Sequence, residues 1–183
     1  MPVIKEIHTD DLIELADIFY RRELTIAEFE KWLKDFHPAD IVKWVNAGFS
    51  YEEAKEWADY DFEPEQAEEW AREGFDPFSA SEWRSEDVET PEEARIWEKV
   101  IGTAEPKFVR DWTRKGFTAE EALKWSKYFT DPDDASAWSR YFDNPEEADE
   151  WSRYFDDPYE ARELADRGLS PEEAFELRER GEL

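Results

Sequence analysis

Apolar and polar positions follow one pattern through most of the chain, seen in Thr118-Ala119-Glu120-Glu121-Ala122-Leu123-Lys124-Trp125. A capping residue is followed by acidic residues, then by Ala four residues after the cap and a large apolar residue seven after it. Ala122 and Trp125 are three residues apart and share one helix face. Thr118 with Glu121 reads as a capping box, in which the hydroxyl accepts the Glu121 N–H and the carboxylate accepts the Thr118 N–H. Elsewhere the second position is Pro, as in Asn144-Pro145-Glu146-Glu147-Ala148 and Ser170-Pro171-Glu172-Glu173-Ala174. Proline suits the first helical position because its missing N–H would have no partner there. The pattern therefore predicts a short helix after every cap.

The caps are Thr25, His37, Ser50, Glu63, Asp76, Thr90, Glu105, Thr118, Asp131, Asn144, Asp157 and Ser170, in steps of 12 to 15 residues, mostly 13. Seven residues after each cap come Trp32, Trp44, Trp57, Trp70, Trp83, Trp97, Trp112, Trp125, Trp138 and Trp151, then Leu164 and Leu177. All ten tryptophans thus occupy one place in one repeat, which assigns Trp44, Trp57, Trp70, Trp112, Trp125, Trp138 and Trp151, with the other three, to a packed core. Ala four after the cap and the connector aromatics Phe49, Phe62, Phe75, Phe117, Phe129, Phe142 and Phe155 are expected to complete it. Gly48, Gly74, Gly116, Gly168 and Gly181 fall where a left-handed helix end is wanted.

About ten helical residues span roughly 15 Å, and a three-residue connector spans at most about 10 Å. The chain cannot return to its starting edge between helices. The expected fold is all-α: an α-solenoid of about thirteen short helices, in which 13-residue single-helix repeats pair as antiparallel hairpins.

A single helical-repeat domain is expected over 1–183. Residues 1–24 form an N-terminal cap, 25–157 the Trp repeats with a register break near 84–106, and 158–183 the C-terminal Leu-type cap repeats. Residues 1–8 carry no strong signal, and Asp10 to Arg22 reads as a first helix with Leu12, Leu15, Ala16 and Phe19 on one face. Gly and non-Gly connectors alternate at Gly48, Asp61, Gly74 and Asp87, which supports a two-helix unit.

Charge modifies the picture. Fifty acids against 23 bases give a net −27, a balance that suggests basic partners or imitation of nucleic acid. The two residues completing the capping turns hold sixteen of those acids and five caps are acidic; without these 21, 29 acids face 23 bases. Most of the acidity thus comes from starting twelve helices, where a carboxylate favours the positive end of the dipole. Stacking would still align the helix starts into a negative ridge. Against it stands the one locally basic helix, with Lys107, Arg110, Arg114 and Lys115 beside Asp111.

Candidate chemistry is sparse. Two histidines, His8 and His37, make no nucleophile–base motif, and there is no cysteine, so no thiolate metal site or disulfide is expected. Asp131-Pro132-Asp133-Asp134 and Asp156-Asp157-Pro158 lack the glycine and terminal Glu of an EF-hand loop, and helix capping accounts for them. A carbohydrate-binding reading of the tryptophans predicts exposed indoles. No apolar run reaches membrane-spanning length and no signal pattern opens the chain, so a soluble cytoplasmic protein without cofactors is expected.

Gly48-Phe49-Ser50-Tyr51-Glu52-Glu53-Ala54 and Gly116-Phe117-Thr118-Ala119-Glu120-Glu121-Ala122 resemble the Gly-Phe loop and second helix start of ubiquitin-associated domains, about seven residues at a time. Those domains have three unequal helices, whereas this chain repeats one. The repeat is also similar to tandem Trp-x3-Gly-Phe-x-Pro-Glu-Glu-Ala arrays in microbial proteins of unknown activity; that likeness implies a fold and no reaction.

The functional expectation is a non-enzymatic scaffold that binds another protein bearing a basic patch, without direct nucleic-acid or membrane binding. The candidate contact residues are Lys107, Arg110, Arg114 and Lys115, and the helix-start acids Glu120, Glu121, Asp133, Asp134, Glu146 and Glu147. The alternative is an acidic inhibitor of phage or mobile-element type that imitates nucleic-acid charge. A further reading takes the acidic surface as adaptation to high salt.

Overall fold

Each of the twelve capping positions is followed directly by helical structure in the computed structural model, which describes residues 8–102 and 105–183. The helices are α1 (Thr9–Arg21), α2 (Ile26–Asp35), α3 (Pro38–Asn46), α4 (Tyr51–Asp59), α5 (Pro64–Arg72), α6 (Pro77–Arg84) and α7 (Pro91–Ile101). A 3-10 turn, Pro106–Phe108, leads into α8 (Val109–Thr113), and α9 (Ala119–Trp125), α10 (Pro132–Ser139), α11 (Pro145–Ser152), α12 (Pro158–Asp166) and α13 (Pro171–Glu179) follow. The fold is all-α, and no strand occurs among the described residues. Most helices have seven to ten residues, a little shorter than the expected ten. Of the N-terminal cap expected over 1–24, residues 1–7 lie outside the described residues, as do 103 and 104 of the register break.

The caps work in two ways. Four of the Ser and Thr caps form complete boxes: the Glu121 N–H donates to the Thr118 hydroxyl at 3.3 Å, and the Glu121 carboxylate accepts the Thr118 N–H at 2.9 Å. Thr25 with Glu28, Ser50 with Glu53, and Ser170 with Glu173 do the same. Asp131, Asn144 and Asp157, each followed by Pro, instead accept the N–H two residues on, at 2.8 to 2.9 Å. His37 caps α3 through Nδ1, which accepts the Ala39 N–H at 3.3 Å.

Helix ends also come in two forms. After Trp44, the Phe49 N–H reaches the Trp44 carbonyl and the Gly48 N–H the Val45 carbonyl, both at 3.1 Å, with Gly48 at φ +91°. This is the Schellman ending, with a left-handed residue next to last. Asp61 and Asp87 have the same hydrogen bonds and φ of 60° and 63°, and Glu23 ends α1 at φ 52°. The alternation of Gly and non-Gly connectors is therefore one of residue type and not of geometry, and it gives no support to a two-helix unit. In the Tyr-Phe connectors the ring comes four residues after Trp instead of five. The N–H groups of Phe129, Phe142 and Phe155 donate to the carbonyls of Trp125, Trp138 and Trp151 without a left-handed residue.

These endings aim one aromatic ring at the next. All ten tryptophans are buried, none more than 6 % exposed, and the residue four after the cap is fully buried from Ile41 through Ala174. Rings alternate in a continuous ladder, Trp32–Phe36–Trp44–Phe49–Trp57–Phe62–Trp70–Phe75, with centroids 4.9 to 6.4 Å apart. A second ladder runs from Trp112 to Phe155 at 5.3 to 6.5 Å. In nine of the twelve repeats the residue four after the cap is Ala, whose small volume leaves room for an indole in a close-packed core.

Contacts divide the chain into two compact units, Met1–Glu92 and Glu93–Leu183. The division lies in the first turn of α7, within the stretch where the sequence register slips. Glu89 adds one residue between Val88 and the cap Thr90, and α7, at 11 residues, takes up the longer step that follows. In unit 1, α3 packs on α1, α4 on α2 and α5 on α3; in unit 2, α10 to α13 pack in succession.

One sequence expectation fails on α1. Its buried residues are Leu15, Ile18 and Phe19, while Leu12 and Ala16 face solvent. The helix carries two adjoining apolar stripes, and only the one pointing at α3 is covered.

Candidate functional site

Helix starts do more than cap. In unit 1 the carboxylate two residues after a cap meets a lysine six residues after the cap of the helix two places earlier. Glu52 pairs with Lys31, and Glu65 with Lys43 at 2.9 Å. The Lys43 ammonium is raised by its hydrogen bond to Glu65, and that bond holds the Glu65 carboxyl below its ordinary range. A related register joins the end of one helix, ten residues after its cap, to that same first-turn position two helices on. It links Lys115 to Asp133, Tyr60 to Phe78 with centroids 6.3 Å apart, Tyr141 to Tyr159 at 5.9 Å, and the Tyr154 hydroxyl to Glu172 at 3.3 Å.

The Lys115–Asp133 pair forms one wall of an open hollow of about 640 Å³, lined also by Asp111, Arg114, Thr130, Asp131 and Pro132. The structure thus brings together three of the sequence candidates, Arg114, Lys115 and Asp133. Lys115 is neutralised by Asp133, and Asp131 is occupied as the cap of α10. Arg114 has no ion-pair partner among the described residues and stands exposed beside Asp111.

The other candidates are not among its lining residues. Lys107 turns back to Glu105 at 2.5 Å and over the Phe108 ring; Arg110 is exposed. Lys107 is therefore engaged locally, while Arg110 lies four residues before Arg114 on the same side of α8. Glu120 and Glu121 open α9, Asp134 lies in the first turn of α10, and Glu146 and Glu147 open α11. Glu121 is consumed by its capping box, where the Thr118 N–H and then its hydroxyl hold the carboxyl below its ordinary range. Glu120, Asp134 and Glu146 are exposed, and Glu147 is partly so.

A second hollow, of about 450 Å³ in unit 1, is lined among others by Arg22, Lys31, Trp32, Phe49, Tyr51 and Glu52. Its polar groups are engaged. Lys31 lies 4.4 Å from the Tyr51 ring centre while paired with Glu52, and Arg22 donates to the Val45 carbonyl at 3.2 Å. The Tyr51 hydroxyl donates to Asp35, which pushes its pKa up to about 12.

Among the described residues no three His, Cys, Asp or Glu side chains converge to hold a metal ion, and no helix is long and apolar enough to cross a membrane. With every indole buried, none offers its face to a sugar. No family model, no curated protein and no solved structure matches the chain.

The sequence reading missed the pairing of first-turn acids with cations of the helix two places back. Its signal was present as Lys31 with Glu52 and Lys43 with Glu65, 21 and 22 residues apart. The acidic rows are therefore partly internal fasteners.

Proposed function

We propose that the chain is a non-enzymatic helical-repeat scaffold that binds another protein, using the helix-start carboxylates left over from capping and pairing to attract a basic patch. The observation that carries this reading is the division of labour within first turns. Glu121 is committed to its cap, while Glu120 and Glu146 stand exposed two residues after theirs, with no side-chain partner among the described residues. Exposed carboxylates on successive short helices of unit 2 present a fixed pattern of charge, and complementary charge speeds encounter and selects the partner. Arg114, Lys115 and Asp133 contribute a mixed-charge hollow beside them.

The test is affinity capture with the intact protein, followed by the same capture with Glu120→Lys and Glu146→Lys. A specific partner lost on charge reversal, and weakened as salt rises, supports the reading. A partner retained by both variants overturns it. Duplex DNA that displaces the captured protein would assign the alternative, imitation of nucleic-acid charge toward a cationic groove.

A further inference from the structure

In unit 1, helices pack on those two places away: α1 on α3, α2 on α4 and α3 on α5. No described helix precedes α1 and α2 in this way, and their outer faces are apolar. At 100° per residue, Leu12, Ala16, Tyr20 and Ile13 occupy a continuous arc of about 100° on α1, starting beside the buried Phe19. On α2, Leu33 and Ile26 lie beyond Phe29, on the side away from the buried Trp32. Phe19 and Phe29 touch edge to face at 4.5 Å, so the two outer stripes flank one seam. Ile13 is 64 % exposed, Tyr20 85 % and Ile26 78 %. Four of the five exposed large aliphatic residues among those described, Leu12, Ile13, Ile26 and Leu33, lie on these two helices.

We infer that this α1/α2 seam docks a basic amphipathic helix of another protein, which continues the stack of unit 1. This rests on the protein-binding reading above and names a second surface for it. The register between alternate helices specifies the charge. Glu52 of α4 and Glu65 of α5, each two residues after a cap, meet Lys31 of α2 and Lys43 of α3. Asp10 holds the same place in α1, two residues after the cap His8, is exposed and has no cation on it among the described residues. Beyond Ile13 the stripe is bordered by Asp10 and Glu14, with Asp17 and Arg21 beside them already paired to each other. An incoming helix with one apolar face and lysines at its edge satisfies both features. A second copy does not: it would bring the same carboxylates, on a chain of net charge −27, against this border.

The experiment uses the full chain and a labelled amphipathic helical peptide of about 14 residues built from Leu and Lys, with a Leu/Glu peptide as counterpart. Fluorescence anisotropy reads binding at physiological salt, and helical circular dichroism verifies each variant's fold. Ile13→Ser with Tyr20→Ser is expected to weaken the Leu/Lys peptide by about tenfold or more. Asp10→Asn should weaken it several-fold, Glu120→Lys should leave it nearly unchanged, and the Leu/Glu peptide should not bind. Equal weakening by Glu120→Lys and Asp10→Asn, meaning attraction by net charge alone, overturns the inference. So does indifference to the double substitution, or a dimer in sedimentation that the double substitution disperses. The outcomes separate from those of the general reading: if Ile13→Ser with Tyr20→Ser leaves Leu/Lys peptide binding unchanged while Glu120→Lys loses a captured partner, this seam is wrong and the scaffold stands.

Discussion

Phe49 and Trp44 are joined twice: the Phe49 N–H donates to the Trp44 carbonyl at 3.1 Å, and their rings meet edge to face with centroids 5.2 Å apart. The helix ending and the core contact are one arrangement, so backbone changes at the ending act on the ladder.

Between these residues Gly48 sits at φ +91°, and a Cβ there would meet nothing within 4 Å; the same holds for Gly116. Substitution by Ala at either position therefore carries only a backbone cost. Gly116→Ala should destabilise by about 1 kcal/mol in urea unfolding. Asp61→Gly and Asp87→Gly run the other way. Relief of the left-handed conformation exceeds the added freedom of glycine in the unfolded chain, and a gain of about 0.5 kcal/mol each is expected.

The facing positions of the ladder should respond to volume in both directions. Trp70 is 1 % exposed and Ala67 fully buried in α5. Trp70→Ala should cost about 3 to 5 kcal/mol by leaving a cavity, a large part of the total stability of an ordinary domain. Ala67→Leu should cost about 1 to 3 kcal/mol by overpacking against the adjoining indoles. An Ala67→Leu variant as stable as the parent would refute the close-packed account.

Acid should act through the boxes. Bonds from Thr25 hold the Glu28 carboxyl below its ordinary 4.5, and Glu53 and Glu121 are lowered by the N–H and hydroxyl of Ser50 and Thr118. A carboxyl lowered on folding gives stability present above its unfolded value and lost as pH falls through the folded one. The melting temperature should therefore drop below about pH 4.5. Replacing all three by Gln, which keeps the acceptor, should flatten that acid limb. Thr118→Ala should cost about 1 kcal/mol at neutral pH.

Neighbouring glutamates should separate by role. Glu121→Ala removes the acceptor of the Thr118 N–H and should lower stability while sparing partner capture. Glu120→Lys should spare stability within about 0.5 kcal/mol, as is usual for exposed substitutions, and reduce capture. Thermal melts run beside capture measurements decide it, and the reverse assignment would remove Glu120 from the binding surface.

Most of the fold is legible in the chain because its determinants are local. A cap, an acid three residues on, Ala at the fourth position and Trp at the seventh fix one helix and its buried face within a single turn or two. The left-handed Asp61 and Asp87 were hidden by residue type, although the five-residue offsets from Trp57 to Phe62 and from Trp83 to Val88 mark them. On α1 the spacing offered two apolar stripes, and only the packing of α3 decides which is covered. The candidate site was less legible: the Lys115–Asp133 pair spans two helices, and Lys107 turns back to Glu105 at the turn Pro106–Phe108. First-turn acids read as one ridge divide by geometry into capping, paired and exposed groups.

The regular offset between Thr118, Asp131, Asn144, Asp157 and Ser170, 13 residues each time, has a consequence for how such a chain can change in length. Fasteners in this array reach the next helix but one, so excising a single period exchanges partners such as Tyr141 with Tyr159 and Tyr154 with Glu172. The cap, the buried Ala and the indole of each remaining period stay in step after such an excision, because each is counted from its own cap. Length can then change by whole periods at little expense to the core, while each change redraws which surface side chains clasp one another.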